Sequence, residues 1–235
     1  RSSLEGTGVV DIKDDVPQGE SFGFTVSPAS GHIFYHLYST DDAVGGIYRV
    51  DLDGTNALKF PFNSLSVFDM EVDAGSGHLY FSDRQSYAGI QRVNLDGSGL
   101  VSVTNESDAP SQSEHLALDL DNQALFITRA DKGIQQNSEL VARYGIDGSG
   151  FSSIISGFDG LDVDYDPVGQ QLFVISPARI IRSDATSGQF EVVTEFARED
   201  WGQTASRSMA LYHSEEAERL GGGIASEIAL RLDSS

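Results

Sequence analysis

Cysteine is absent from this sequence of 235 residues, and tryptophan occurs once. The lack of cysteine excludes disulfide frameworks, thiolate zinc sites and cysteine nucleophiles, but it leaves the compartment open because a secreted protein need not contain disulfides. No apolar run approaches the ~18 residues that a membrane-spanning helix needs, so we expect no membrane span. The length suits one all-β domain with a substantial core.

Basic residues are few: 15 lysines and arginines stand against 36 acidic residues, which gives a formal charge of −21. Nucleic acids and anionic membranes are bound mainly through cationic surface, so this balance argues against both as partners. The same balance is compatible with binding of a cation.

Motifs of the common enzyme classes are also missing. The sequence has no Gly-x-Ser-x-Gly, no phosphate-binding glycine loop, no His-Glu-x-x-His and no dinucleotide fingerprint. We therefore expect a protein that acts without catalysis and needs no cofactor.

A repeated unit is present, and its clearest copy is Val67 to Asn105. Alternating apolar and polar residues, separated by short turns, predict four strands in this copy. The Asp96-Gly97 pair between two such runs indicates a tight hairpin turn. The four predicted strands are Val67 to Asp73, His78 to Ser82, Ile90 to Leu95 and Leu100 to Val103.

The unit recurs along the whole chain with a period of about 46 residues, within the range of roughly 40 to 50 for propeller blades. Each of the four strand classes has five members. The sequence therefore predicts an all-β, five-bladed β-propeller of four-stranded blades. The predicted blades are about 21–62, 67–105, 113–157, 158–196 and 206–233, the last completed by 8–13.

The fifth blade is predicted to be split between the two ends of the chain. Its outermost strand is Gly8 to Lys13, and pairing this strand with the C-terminal blade closes the ring and protects the strand edges. Gly221 to Gly223 lie where its second strand is expected, ahead of a third strand expected at Glu227 to Asp233, and glycine is a poor strand former. We expect this blade to be the weakest.

The segment from Leu79 to Asp83, together with Ile90 to Ser98, resembles the YWTD repeat of low-density-lipoprotein-receptor class B propellers. Ile47 to Thr55 matches the second half of that repeat. The resemblance implies a β-propeller and protein partners. Propellers of this family usually have six blades, so a fragment of a six-bladed YWTD propeller is the alternative. The chain starts at Arg1 without a methionine or a signal-like segment, which predicts a processed protein or one domain of a longer chain.

Loops after the second and fourth strands share one face of the predicted ring, and they are longer and less alike than the others. Such loops commonly carry function on a rigid frame. Trp201 could be an anchor for a partner or a sugar, or a plug between two blades. The predicted contact residues on this face are Trp201, Tyr38, Asp41, Asp42, Tyr87, Arg129, Asp131 and Lys132.

Acidic residues of the first strands are expected to face the central channel, because first strands line it. Asp69, Asp162 and Asp164 are the candidate metal ligands, and calcium in the channel is the alternative to having no cofactor. The competing interpretation is that these carboxylates bond backbone amides and hydroxyls within the fold.

The predicted function is a secreted or lumenal binding and scaffold module for protein partners. Asn105 begins the one N-glycosylation sequon, which fits that location. The second hypothesis is a lectin that binds a glycan between blades. A third is a glycoside hydrolase or lactonase-like enzyme, since carboxylates at a channel mouth can catalyse glycoside hydrolysis.

Overall fold

The protein is described from a computed structural model. The structure describes residues 23–62, 66–83, 89–104, 112–130, 140–156, 162–176, 179–195, 210–212 and 227–229. All of the regular secondary structure in these ranges is β-strand. No helix long and apolar enough to cross a membrane occurs among them.

The chain divides into two compact units, Arg1–Val103 and Thr104–Ser235. The first unit contains two four-stranded antiparallel sheets, each with its strands in sequence order. One sheet consists of β1 (Phe24–Ser27), β2 (His32–Leu37), β3 (Gly46–Asp51) and β4 (Leu58–Lys59). The other consists of β5 (Val67–Asp73), β6 (His78–Asp83), β7 (Gly89–Asn94) and β8 (Val101–Ser102).

The second unit contains two more four-stranded antiparallel sheets and one strand pair. The first sheet consists of β9 (Gln112–Asp119), β10 (Ala124–Ala130), β11 (Leu140–Gly145) and β12 (Ser152–Ser156). The second consists of β13 (Asp162–Asp166), β14 (Gln171–Ser176), β15 (Arg179–Asp184) and β16 (Phe190–Glu195). The pair is β17 (Ala210–Tyr212) with β18 (Glu227–Ala229).

The predicted all-β class and the four-stranded antiparallel sheets are confirmed. Four sheets fall in the ranges proposed for the first four blades, except that the third sheet begins one residue earlier, at Gln112. The closing strand, Gly8 to Lys13, lies outside the described residues, so closure of the ring stays a prediction.

The strand order predicted for the fifth blade is wrong in one respect. Glu227–Ala229 was expected as a third strand, yet it pairs directly with the first strand, Leu211 lying opposite Ile228. A third strand would be separated from the first by the second. Isoleucine suits a strand, whereas three consecutive glycines do not, which accounts for the pairing of this later segment.

Apolar side chains of neighbouring sheets form the core of each unit. In the first unit Phe34 and Ile47 of one sheet pack with Met70 and Phe81 of the other. In the second unit Phe126 packs against Tyr165, with ring centroids 5.7 Å apart. Alternation along each strand supplies one apolar face per sheet, and these faces pack on each other.

The Asp-Gly turns share one structure. In each, the aspartate Oδ1 accepts bonds from the amide and the hydroxyl of the residue two positions on, as Asp96 does from Ser98 at 2.9 and 2.6 Å. Gly97 has a φ of 84°, a conformation that favours glycine. Asp53 with Thr55 and Asp147 with Ser149 repeat the arrangement. These turns are part of the frame.

Candidate functional site

The loop between β2 and β3, Tyr38 to Gly45, is the segment of the predicted contact face that the structure describes in full. It is folded on itself by short-range bonds. Oδ1 of Asp41 accepts the amide of Ala43 at 2.9 Å, and the carbonyl of Asp41 accepts the amides of Val44 and Gly45 at 2.9 and 2.8 Å. A side chain at Gly45 would lie 2.9 Å from the carbonyl oxygen of Ser39, so this close turn requires glycine.

Two residues of the sheet hold the β2–β3 loop from below. The Tyr48 hydroxyl donates to the carbonyl of Val44 at 2.6 Å, and Lys59 Nζ donates to the carbonyl of Asp42. Tyr48 is stacked on Tyr35 with 5.3 Å between ring centroids. Burial raises the pKa of Tyr48, which keeps its hydroxyl a donor at neutral pH. The loop is thus held in one shape by the strands beneath it.

Three predicted contact residues lie on this loop and are available to a partner. Tyr38 keeps 44% of its surface exposed, and Asp41 and Asp42 are exposed beside it. An exposed aromatic ring next to two carboxylates is suited to a partner with apolar and basic groups.

Other predicted positions fall elsewhere. Arg129 lies at the end of β10, where its backbone pairs with Leu140 of β11. The remaining contact residues and the sequon lie outside the described residues, so they stay predictions: Tyr87, Asp131, Lys132, Trp201 and Asn105.

The candidate metal ligands bond the backbone close to themselves. Oδ1 of Asp69 accepts the amide of Met70 at 2.9 Å, Oδ1 of Asp162 that of Val163 at 2.9 Å, and Oδ1 of Asp164 that of Tyr165 at 2.8 Å. These contacts agree with the second interpretation made from the sequence, in which the carboxylates support the fold. They do not test whether a cation binds, so calcium stays a hypothesis.

A hydroxyl in the YWTD-like segment also has a structural role. Ser82 Oγ accepts the amide of Asp69 at 3.1 Å, and Thr128 Oγ1 accepts the amide of His115 at 3.1 Å in the same place of another sheet. In both sheets the pairing of the first strand with the second shifts register near this hydroxyl. The shift leaves a backbone amide without a partner in the strand ladder, and the hydroxyl accepts its hydrogen bond.

His115 and Asp162 form a side-chain pair within the second unit. Nδ1 of His115 lies 3.2 Å from Oδ1 of Asp162, and the two side chains are 17% and 6% exposed. His115 lies four positions before Asp119, and Asp162 lies four positions before Asp166. Each of these two aspartates begins the turn between the first and second strands of its sheet. Aligning the first strands on that turn would have found the pair, which the sequence analysis did not propose. An imidazole held by a carboxylate can bond a ligand or transfer a proton.

Comparison with known proteins identifies the fold of this chain but does not assign it to a family. No family model matches the chain, and no curated protein matches it. A chain of the nidogen/laminin complex is similar in structure, with a TM-score of 0.62 and 16% identity, over 75% of this chain and 65% of that one. This chain therefore spans somewhat less than two thirds of that protein.

Two bacterial proteins give comparable matches. TolB from Acinetobacter baumannii has a TM-score of 0.60 and 16% identity, over 83% of this chain and 48% of that one. A GH74 xyloglucanase from Xanthomonas campestris has a TM-score of 0.56 and 16% identity, over 73% of this chain and 29% of that one. A chain of a protein–protein complex and a xyloglucanase share the architecture, and fold alone does not determine function. The likeness shows that this all-β chain has the β-propeller fold.

Proposed function

We propose that this protein is a non-catalytic β-propeller module that binds a protein partner through the β2–β3 loop. The observation that carries the proposal is the shape of that loop, which is fixed by its own bonds and by Tyr48 and Lys59 while Tyr38 stays exposed. A preformed loop loses little conformational entropy on binding, so more of its contact energy contributes to affinity.

The chemistry of the loop indicates the kind of partner. Tyrosine is enriched at the centre of interfaces because it buries a large ring and keeps a polar tip. Asp41 and Asp42 beside it, on a chain with a formal charge of −21, favour a partner with a basic surface. Electrostatic attraction of this type increases the association rate and weakens as salt is added.

The YWTD-like segment and the structural likeness to the nidogen/laminin complex support a YWTD-type propeller that works outside the cytoplasm, secreted or in an organelle lumen. That neighbour is part of a protein–protein complex, which is consistent with a binding role here.

Crosslinking of the purified protein in material from its native source tests the proposal. A double variant, Asp41→Asn with Asp42→Asn, removes both charges, and asparagine at position 41 retains the Oδ1 acceptor for Ala43. We expect the protein that is crosslinked by the wild type to be lost from this variant and from Tyr38→Ala. The control is Asp53→Asn, which removes a charge at the opposite end of β3. Unchanged crosslinking by the loop variants would overturn the proposal.

A second candidate is a hydrolase, and the His115–Asp162 pair is the observation that favours it. A panel of glycosides and lactones tests this candidate. Turnover that disappears in His115→Gln, measured at a temperature where this variant is still folded, would favour catalysis over binding.

A further inference from the structure

A polar cavity of about 160 Å³ lies within the second unit, between the sheet of β9–β12 and the sheet of β13–β16. It is separate from the β2–β3 loop. The residues that matter for its chemistry are Asp119, Asn122, Arg143, Tyr165, Gln170 and Thr186. A water occupies about 30 Å³ in the liquid, so the cavity has room for roughly five waters or one solute of that size.

The acidic group of the cavity is already bonded. Asp119 is 3% exposed, its Oδ1 accepts the amide of Asn122 at 3.1 Å, and its Oδ2 accepts the side-chain Nδ2 of Asn122 at 2.8 Å. The Tyr165 side chain also lines the cavity, beside the Asp119 carboxylate. Burial raises the pKa of Tyr165, and the Asp119 carboxylate raises it further, so the hydroxyl stays protonated and donating.

The basic group of the cavity, by contrast, has no bonded partner in the described ranges. Arg143 is half-buried, and its guanidinium makes no hydrogen bond or ion pair with any residue that the structure describes. A guanidinium carries five N–H donors in a planar fork that fits a carboxylate. Within the part of the chain that the structure describes, these donors of Arg143 therefore face no protein acceptor.

The first unit shows what the equivalent arginine does. Arg49 of β3 donates from Nη1 to the carbonyl of Leu95 at 2.9 Å, and its charge helps to lower the pKa of Asp96. In the first unit the amide of Leu95 donates to the carbonyl of Gly77, and in the second unit the amide of Ala185 donates to the carbonyl of Gln170. The turns that contain Leu95 and Ala185 therefore occupy corresponding positions. Thr186 therefore stands where the first unit has the carboxylate of Asp96. The second unit keeps the arginine and has a neutral threonine in place of that aspartate.

We propose that this cavity binds a small hydroxylated carboxylate, whose carboxylate bonds the guanidinium of Arg143. The hydroxyls of the ligand bond Thr186, Gln170 and Asn122, which offer both donors and acceptors. The volume is below the 300 Å³ or so of pockets for drug-sized ligands, so the ligand is a hydroxy acid or one sugar acid and not an oligosaccharide.

Calorimetric titration of the full chain at low salt tests the site. The probes are D-glycerate and D-glucuronate, and the matched neutral compounds are glycerol and D-glucose. We expect saturable binding of at least one acid and none of the neutral compounds. Arg143→Gln should weaken binding by about 10- to 100-fold, since hydrogen bonds to charged groups contribute about 1.5–3 kcal/mol. Arg182→Gln, the same change in the next sheet, should leave affinity within about twofold.

Thr186→Asp is the decisive variant because it adds a carboxylate to the cavity lining that contains Arg143. This fixed negative charge repels an acidic ligand and competes with it for the guanidinium, so binding of the acids should disappear while the melting temperature is retained or raised. This readout separates loss of the site from loss of the fold. The proposal is overturned if neither acid binds, if glycerol or glucose binds as well as its acid, or if Thr186→Asp binds like the wild type.

Discussion

Nδ1 of His115 lies 3.2 Å from Oδ1 of Asp162, and the contact joins the first strands of two neighbouring sheets in the second unit. The backbone of each strand bonds within its own sheet, so this side-chain contact connects elements that the strand ladders do not. Asp162 is almost fully buried, so removal of its partner leaves a carboxylate that has lost a bond in a site with little water.

We expect Asp162→Asn and His115→Gln each to lower the free energy of unfolding by about 1–3 kcal/mol, the usual cost of leaving a buried polar group unsatisfied. Chemical denaturation measures the change. A double-mutant cycle should give a coupling energy of at least 0.5 kcal/mol or so, as for residues in contact. The control cycle combines His115→Gln with Asp184→Asn at the end of β15, and coupling there should be near zero. Equal coupling in both cycles would show that the contact is not energetically specific.

The Asp-Gly turns predict how stability changes in acid. Hydrogen bonds from the hydroxyl and the amide two residues on lower the pKa of Asp53, Asp96 and Asp147. Because each folded pKa lies below the unfolded value of about 3.9, the unfolded chain binds more protons in acid. The stabilisation is complete above that value and is lost as pH falls through the folded pKa.

A triple variant with asparagine at these positions keeps the acceptor oxygen but cannot titrate. We expect it to melt below the wild type at pH 6, and the gap should close as pH falls below about 4. The control is Asp42→Asn with Asp121→Asn, whose carboxylates make no hydrogen bond within the described ranges. That control should show no comparable gap at any pH. A gap in the triple variant that stays constant down to pH 2 would contradict the argument.

Much of the frame could be predicted from the sequence because it depends on local patterns. Alternation and the Asp-Gly pairs predicted the four-stranded sheets, since one face of each strand must be buried and the turn needs a glycine at positive φ. The pairing of β17 with β18 was missed, because strand order within a blade depends on which segment competes best for a sheet edge. The His115–Asp162 contact and the cavity at Arg143 depend on packing between sheets, which no local pattern specifies.

Two glutamines lie where the first unit has glycine, and they form a matched pair. Gln123 and Gln170 both have a φ of 51°, whereas Gly31 and Gly77 occupy the corresponding turns. A side chain in this left-handed region costs roughly 1–2 kcal/mol, and glycine recovers most of that at an entropic cost of about 0.5–1 kcal/mol.

Gln123→Gly should therefore be less favourable than Gln170→Gly. The Gln123 side chain donates from Nε2 to the carbonyl of Leu120 at 2.7 Å, and glycine loses that bond. Gln170 has no such bond within the described residues. We expect Gln170→Gly to be neutral or stabilising and Gln123→Gly to lie about 0.5–1.5 kcal/mol below it in the free energy of unfolding. Thermal melts of both variants measure the difference, and the reverse order would contradict this explanation.

Alanine substitutions at Gly188 and Gly150 distinguish the cost of backbone strain from the cost of steric overlap. Their φ angles are 69° and 68°, so an alanine is equally strained at either position. A Cβ at Gly188, in the turn after β15, would overlap the carbonyl oxygen of Ile154 in the neighbouring sheet, whereas a Cβ at Gly150 meets nothing within 4 Å. Gly188→Ala must therefore move one sheet away from the other or distort the turn.

We expect Gly150→Ala to cost about 1–2 kcal/mol, the usual penalty for the left-handed conformation, and Gly188→Ala to cost at least about 3 kcal/mol. For a chain of this length each kcal/mol lowers the melting temperature by roughly 2–4 °C. The two variants should differ by several degrees in a thermal melt. The cost of the left-handed backbone conformation is the same in both variants. Equal melting temperatures would therefore mean that the sheets of the second unit separate at Ile154 without a cost in free energy.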